Sequence, residues 1–419
     1  MKKQLLSTSA IALGVAMAAP ASAQQWDMDW GGFANTHVGA SDVDLPSGST
    51  ADFDGVNVFT NSEIIFSPSV TLDNGLTFGF SVQMEALNGG GGQDGIDESY
   101  VTIEGDQLGR IVLGSENSAG YALMGSVYTP GSSTMAINSR STSAFVPVTG
   151  STGFRQAGLS SLTEVAGNND VQRISYFTPS FNGLTVGVSY APSNAGNASN
   201  NAPVDFDAAG DVTDIFDIGV GYQQSFGGVD LGLAARWGTG DRNGSAGTPG
   251  STLTLTGSNN VAALNALASG GTLNDVNGDG QPNAGDTVTT PGTAGSPGGD
   301  PTTWAVGGTL GVNAFTFGAT YAENDNDAGG AGDSEGWSLG VSYDIAGPWS
   351  VGLETYQGEV KNGGSLADSD YETYKLAASR DLGAGVSWDV YYAYMETKDG
   401  TTGDKIEGNV IATAINLSF

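Results

Sequence analysis

The sequence predicts an all-β membrane protein, a transmembrane antiparallel β-barrel of about sixteen strands. Three observations lead to this prediction. Apolar and polar residues alternate along most of the chain, and the connections between these segments are alternately short and long. After the N-terminal leader, no segment approaches the ~18 consecutive apolar residues of a membrane-spanning helix. The mean hydropathy of -0.12 is compatible with strands that are apolar on one face only.

The alternation is clearest between Leu76 and Ala86. Every second residue there is apolar, and the residues between them are Thr, Gly, Ser, Gln and Glu. A period of two places the two sets on opposite faces of one strand. Sixteen such segments are predicted, at 28–41, 56–67, 76–87, 96–104, 110–115, 171–178, 184–191, 214–226, 229–237, 302–312, 314–323, 335–345, 349–359, 369–381, 385–397 and 405–419.

The connections predict how the strands are arranged. After each even-numbered segment the link is short and contains turn residues, as in Asp73-Asn74-Gly75 and Gly227-Gly228. Most of the other links are longer and rich in Gly, Asp, Asn, Ser and Thr, and the longest are 116–170 and 238–301. Tight turns on one side and long loops on the other are typical of outer-membrane barrels.

A barrel of this size has a wet interior. About sixteen to eighteen strands enclose an aqueous lumen rather than a packed core. We therefore expect the polar face of each strand to line water and the apolar face to contact acyl chains. Closure of the barrel also satisfies the backbone hydrogen bonds that a hydrocarbon environment leaves without water.

Residues 1–23 have the features of a secretory signal peptide. Lys2 and Lys3 are basic, an apolar stretch runs from Leu5 to Pro20, and Ala21-Ser22-Ala23 is a small-residue cleavage site. Cleavage there would leave residues 24–419 as the barrel. A membrane-anchoring helix is the alternative, which the short run and Pro20 disfavour.

The composition excludes several classes of function. The formal net charge is -32, which argues against nucleic acid as a partner because such proteins need a basic surface. The sequence has no Cys and one His. His37 is therefore the only candidate base of a hydrolase, and we expect no enzymatic activity.

Three short motifs carry a family resemblance. They are the segment from Arg173 to Leu184, with Thr178-Pro179-Ser180-Phe181-Asn182-Gly183 at its turn, the segment Leu108-Gly109-Arg110-Ile111-Val112-Leu113-Gly114, and the Phe-ended tail Ile415-Asn416-Leu417-Ser418-Phe419. Together with the order and number of strands, they resemble the Gram-negative porin family, and within it the alphaproteobacterial sixteen-stranded general porins. The resemblance covers essentially all of residues 24–419.

This resemblance implies a homotrimer in the outer membrane, in contact with lipid and lipopolysaccharide. It implies a channel for passive diffusion of small hydrophilic solutes and ions, with a long third loop folded into the lumen as a charged constriction. Here that loop would be 116–170. Its candidate constriction residues are Glu116, Arg140, Arg155 and Glu164. The loop departs from the commoner family pattern because it lacks a dense acidic run.

Strand parity predicts which charged side chains line the pore, because a charge on the lipid face at mid-depth costs ~2–4 kcal/mol. The basic candidates are Arg110, Arg173, Arg236 and Lys375, and the acidic ones are Glu63, Glu85, Glu98, Glu354 and Asp389. Such charges could set a transverse field, or they could be ordinary solvated wall residues. The acidic excess of the chain predicts a preference for cations.

One loop resembles a calcium-binding motif. In residues 275–286, Asp275, Asn277, Asp279, Gln281 and Asp286 stand at positions 1, 3, 5, 7 and 12 of an EF-hand loop. Position 12 is Asp instead of Glu, position 8 is Pro, and no helices are predicted to flank the loop. An ordinary Asn- and Gly-rich outer loop is the alternative, and no other cofactor is expected.

Two other functions stay open at this point. A solute-specific channel would share the same fold, and a surface scaffold or adhesin barrel would use its outer loops more than its lumen. The length of 238–301 keeps the second alternative open.

Overall fold

The computed structural model describes residues 25–85, 95–125, 127, 145–147, 170–196, 203–247, 250–256, 272–276, 278, 281–290, 292, 295, 298–327 and 332–419. The predicted signal peptide, residues 1–23, lies outside the described residues. Within them, no helix is both long enough and apolar enough to cross a membrane.

The described chain is built almost entirely of strands. They are β1 (Trp30–Asp44), β2 (Gly55–Phe66), β3 (Ser69–Thr71), β4 (Thr77–Glu85), β5 (Ile96–Gly105), β6 (Gly109–Glu116), β7 (Val171–Phe177), β8 (Leu184–Ser193), β9 (Val212–Phe226), β10 (Val229–Arg242), β11 (Ser251–Thr254), β12 (Thr272–Asn274), β13 (Thr287–Thr290), β14 (Thr302–Val312), β15 (Phe315–Asp325), β16 (Ser334–Asp344), β17 (Trp349–Val360), β18 (Ser369–Gly383), β19 (Val386–Lys398) and β20 (Lys405–Ser418). One short helix, α1 (Ala119–Met124), follows β6. Each of the sixteen predicted segments corresponds to one of these strands, within a few residues at its ends.

The strands close into an antiparallel barrel. Each barrel strand pairs with the next along the chain, and β1 pairs with β20 from Phe33↔Ser418 to Asp44↔Glu407. The sheet contains seventeen strand segments, but β2 and β3 both pair with β4 and form one interrupted strand. The barrel therefore has sixteen strands, which confirms the predicted fold class.

The interruption between β2 and β3 lies at Ser67 and Pro68. Proline has no backbone N–H to donate to a strand ladder, so pairing stops there and resumes at Ser69. The backbone N–H of Ser67 donates to Asp29 O at 3.0 Å, and that of Phe80 donates to Pro68 O at 3.2 Å. The wall is thus bonded on both sides of the break.

The tight turns need backbone conformations that glycine adopts without strain. Gly227 and Gly228 join β9 to β10 with φ angles of 56° and 90°. Two successive residues with positive φ make the type of turn that matches the twist of a two-residue hairpin. The pairing Phe226↔Val229 follows directly and fixes the register of the two strands.

Three short strands lie within 238–301, where the sequence analysis predicted only a loop. β13 pairs with β11 and with β12 in a separate three-stranded sheet. Its small core contains Leu255 and Val288, each 1% exposed, with Leu253 and Leu273 packed against them. Apolar and polar residues alternate here as in the barrel strands, but over three or four residues, which are too few to stand out from a Gly- and Thr-rich loop.

Candidate functional site

The alternation of side chains along each strand decides which of them reach the barrel interior. In β18, Tyr371, Thr373 and Lys375 are at most 2% exposed, whereas Tyr374 and Leu376 are 40% and 55% exposed. The exposed set is largely apolar and lies on the convex surface, as expected where a barrel contacts acyl chains. The shielded set lies on the inner face.

Six of the nine predicted pore-lining residues are buried on the inner face, at 6% exposure or less. They are Arg173, Arg236, Lys375, Glu98, Glu354 and Asp389. Arg110, Glu63 and Glu85 share the inner face of their strands and are partly exposed. The inner wall therefore holds two groups of charges, one covered by protein and one accessible to solvent.

Arg110 and Arg173 lie at different depths of the barrel. Arg110 is paired in register with Phe177, and Arg173 with Gly114, so four residues of β6 separate them. That separation is ~13 Å along a strand. Arg110 lies next to the short turn at 106–108, and its Nε is 3.0 Å from Glu104 Oε1. The structure does not bring these two residues together.

Arg236 forms a fully buried ion pair that the sequence analysis missed. Its guanidinium contacts the carboxylate of Asp217 on β9, and the two side chains are 0% and 2% exposed. The other carboxylate oxygen of Asp217 accepts a hydrogen bond of 2.6 Å from the backbone N–H of Gly120 in α1. Asp217 lies between Phe216 and Ile218, so strand parity would have placed it on the inner face.

Lys375 is also surrounded by compensating groups. Glu354 is the register partner of Lys375 on β17, and the carboxylates of Glu354 and Asp389 both stabilise the positive charge of Lys375. The Lys375 ammonium lies 4.7 Å from the centre of the Tyr391 ring, a favourable cation–π distance. Asp389 accepts a 2.9 Å hydrogen bond from the Asn416 side-chain amide.

Carboxylates gather on the part of the wall from β2 to the start of β7, in a group that we call the acidic arc: Glu63, Glu85, Glu98, Glu116 and Asp170. Glu63 and Glu85 face each other across β2 and β4, and Glu98 interacts electrostatically with Glu116 and Asp170. Glu98 accepts hydrogen bonds from the side-chain amides of Gln83 and, at 2.6 Å, Asn117.

The described part of 116–170 follows the inner wall. The backbone N–H of Ala119 donates to Ser189 Oγ at 2.6 Å, and Val127 O accepts from Thr320 Oγ1 at 2.8 Å. Further along, Phe145 and Val146 are buried in one apolar cluster with wall residues such as Val410. Of the predicted constriction residues only Glu116 is described, since Arg140, Arg155 and Glu164 lie outside the described residues.

The calcium motif connects β12 to β13. Both carboxylate oxygens of Asp286 accept backbone N–H groups, from Val276 at 2.9 Å and from Asn283 at 3.0 Å. Asp275 Oδ1 accepts from the N–H of Gly278 at 2.6 Å. Gln281 is described, whereas Asn277 and Asp279 are not. Among the described residues, no cluster of three or more His, Cys, Asp or Glu could hold a metal ion, and calcium binding stays a prediction.

Comparison with known proteins agrees with this architecture. Residues 7–294 and 278–400 match the sequence model of the Gram-negative porin family. No curated protein sequence shows significant similarity to the chain.

Solved structures share the fold at low sequence identity. The anion-selective porin from Comamonas acidovorans is 15% identical, with a TM-score of 0.56 over 94% of this chain and 100% of that one. The trimer form of OmpT from Vibrio cholerae is 12% identical, with a TM-score of 0.54 over 94% and 99%. OmpF of Salmonella typhi, in complex with daunomycin, is 13% identical, with a TM-score of 0.53 over 92% and 97%.

Proposed function

The chain belongs to the Gram-negative porin family, and from that premise we propose that its barrel is a cation-preferring channel for passive diffusion of small hydrophilic solutes and ions. The family and the barrel fold indicate the outer membrane as its location. A diffusion channel requires neither a catalysed reaction nor a cofactor. We also propose that residues 1–23 are removed during export.

The proposed cation preference rests on a difference in solvent exposure between basic and acidic side chains on the inner wall of the barrel. Arg236 and Lys375 are buried beside carboxylates, and the partly exposed Arg110 is paired with Glu104, so these three contribute little positive potential to the lumen. Glu63 and Glu85 are partly exposed on the inner face. Carboxylates in a confined aqueous space raise the local concentration of cations and disfavour anions.

The described contacts of 116–170 support its role as the constriction. They reach β8 through Ala119, β15 through Val127, β1 through Phe145 and β20 through Val146. A segment that touches the inner wall at these separate places would occupy space inside the barrel. We propose that this segment narrows the lumen and that the acidic arc, which includes Glu116, lies beside the narrowed part.

Charge removal on the inner face tests the cation preference. Glu63→Gln combined with Glu85→Gln is expected to lower the cation-to-anion permeability ratio by about twofold, because two partly exposed carboxylates leave the lumen. The ratio is measured from the reversal potential of the channel in a planar bilayer that separates two KCl concentrations.

Glu359→Gln combined with Glu372→Gln is the matched control. These two carboxylates lie on the convex face of β17 and β18, so the same loss of charge should leave the ratio unchanged. Anion selectivity of the unmodified channel would refute the preference. Equal effects of the two double variants would refute its assignment to the inner face.

We also propose that the chain forms a homotrimer through the convex face of β20, β1 and β2. Ile411, Val56 and Val58 there are 66%, 76% and 60% exposed. Aromatic residues on the loop side, such as Trp237, Trp304 and Trp337, continue round other strands, as expected where a barrel meets lipid and lipopolysaccharide. The Vibrio cholerae OmpT with the same fold is described as a trimer form.

A bulky substitution tests this interface. Val58→Trp is expected to convert most of the trimer into monomer, since an indole ring cannot fit between closely packed strands. Leu339→Trp on β16 is the control, because that residue is 54% exposed on a face assigned to lipid. Light scattering in detergent measures the mass, and a monomeric unmodified protein would refute the proposal.

A further inference from the structure

Phe145 and Val146 pack against the inner wall of the barrel at Gly39 and Gly408, where the strands have no side chains. We call this position the seat. The two residues are 3% and 1% exposed. A Cβ atom added to Gly39 on β1 would lie 2.7 Å from the Phe145 ring, and one added to Gly408 on β20 would lie 2.5 Å from Val146 Cγ2. Both distances are below van der Waals contact, so this seat requires glycine at both positions.

The seat lies at the closing pair of the barrel. Gly39 is the register partner of Ala412 on β20, and Ala412 is that of Tyr391 on β19. Phe145, Ala412 and Tyr391 belong to the same buried cluster. Without these contacts the apolar ring of Phe145 would be exposed to the water of the lumen. Burial of the ring therefore favours the position of Phe145 and Val146 against β1 and β20, which we call the docked position.

We propose that Phe145 and Val146 are positioning residues that fix the aperture of the channel by holding this part of 116–170 against β1 and β20. The proposal rests on the proposed diffusion channel. The same segment is held at Ser189 and Asp217 by hydrogen bonds of Ala119 and Gly120. Asp217 is paired with Arg236 on β10. Counting β1 as the first, β10 is the ninth of the sixteen barrel strands, so it lies on the opposite side of the barrel from β1. Release of one attachment therefore leaves the other in place and changes the opening without unfolding the barrel.

An engineered disulfide tests the docked position directly. The sequence contains no Cys, so Val146→Cys combined with Gly408→Cys introduces one possible pair. Val146→Cys also removes the two methyl groups that a Cβ atom on residue 408 would overlap. A Cβ atom on residue 408 would lie 3.1 Å from Val146 Cβ, close to the ~3.5–4.5 Å that a disulfide requires. Oxidation of the folded protein should give an electrophoretic shift that a reductant reverses.

The control pair is Val146→Cys with Ser338→Cys. Ser338 is buried on the inner face of β16, four strands from β20 and hence ~19 Å away along the sheet. It should not cross-link. Absence of the disulfide in the first pair, or equal cross-linking in both, would overturn the docked position.

The functional readout is a reversible change in conductance. Phe145→Ala is expected to raise single-channel conductance about 1.5-fold and to admit larger sugars in liposome swelling, because pore diameter sets passage. Phe145→Leu should retain most of the unmodified behaviour. In the double-Cys background, Phe145→Ala should conduct more when reduced and return to the unmodified value when oxidised.

The outcomes separate this proposal from the channel function. A cross-link without any redox effect on conductance would show that the residues dock but do not set the aperture. An unmodified protein that conducts, with no cross-link, would refute the seat alone. An unmodified protein that does not conduct would refute the proposed function, whatever the disulfide shows.

Discussion

Asp217→Asn is expected to lower the free energy of unfolding by about 3–5 kcal/mol, the usual cost of removing one partner from a buried ion pair. The Arg236 side chain is 0% exposed, so water cannot replace the lost carboxylate. The amide keeps an oxygen that can accept from Gly120 N–H, so the loss comes mainly from the uncompensated guanidinium. Urea titration of the barrel in phospholipid vesicles measures the change.

The double variant Asp217→Asn with Arg236→Met separates charge from packing. Replacing a buried ion pair with well-packed neutral groups is often close to neutral in stability. The double variant should therefore recover most of the stability that the single variant loses. If both variants were equally unstable, packing of these two strands would matter more than the pairing of their charges.

Leu233→Arg is expected to lower the stability of the barrel in a bilayer by about 2–4 kcal/mol, because Leu233 lies on the convex face near mid-depth of β10. It is 48% exposed in the isolated chain. Folding into phospholipid vesicles, followed by urea titration, measures the effect. A neutral result would refute the assignment of this face to lipid.

Phe206→Arg is the matched control for that variant. Phe206 is 56% exposed in the long connection between β8 and β9, where the side chain contacts water. The same change from an apolar to a cationic side chain should cost less than about 0.5 kcal/mol at an ordinary surface position. The two residues have similar exposure, so a difference between them reports on the membrane.

The sequence predicted the barrel because its physical cause is local. A strand between lipid and water must alternate at every second residue; β4 shows this alternation over its whole length, and β18 shows it around Lys375, between Tyr374 and Leu376. The short turns, such as Gly227-Gly228, are marked by residues that tolerate positive φ. The strands β11, β12 and β13 were missed because three or four residues carry too little of the same signal.

The inner wall was predicted only in part. Parity assigns Glu98 and Lys375 to the inner face, where both are buried, but the partners of inner-face charges depend on the register between neighbouring strands and on where a loop returns to the wall. Asn117 reaches Glu98 from beyond β6, and Asp217 reaches Arg236 across β9 and β10. The seat of Phe145 could not be predicted, because glycine in a strand does not reveal which distant side chain fills its space.

The pairing of β1 with β20 has a consequence for biogenesis. Twelve residue pairs join these strands, and they can form only after the last segment of the polypeptide has left the ribosome. Until then the first and last segments present unsatisfied amides and carbonyls to any β-forming neighbour. A chain crossing the periplasm in that condition would self-associate unless other proteins shield it. Closure of the barrel removes the two edges at which separate chains could pair.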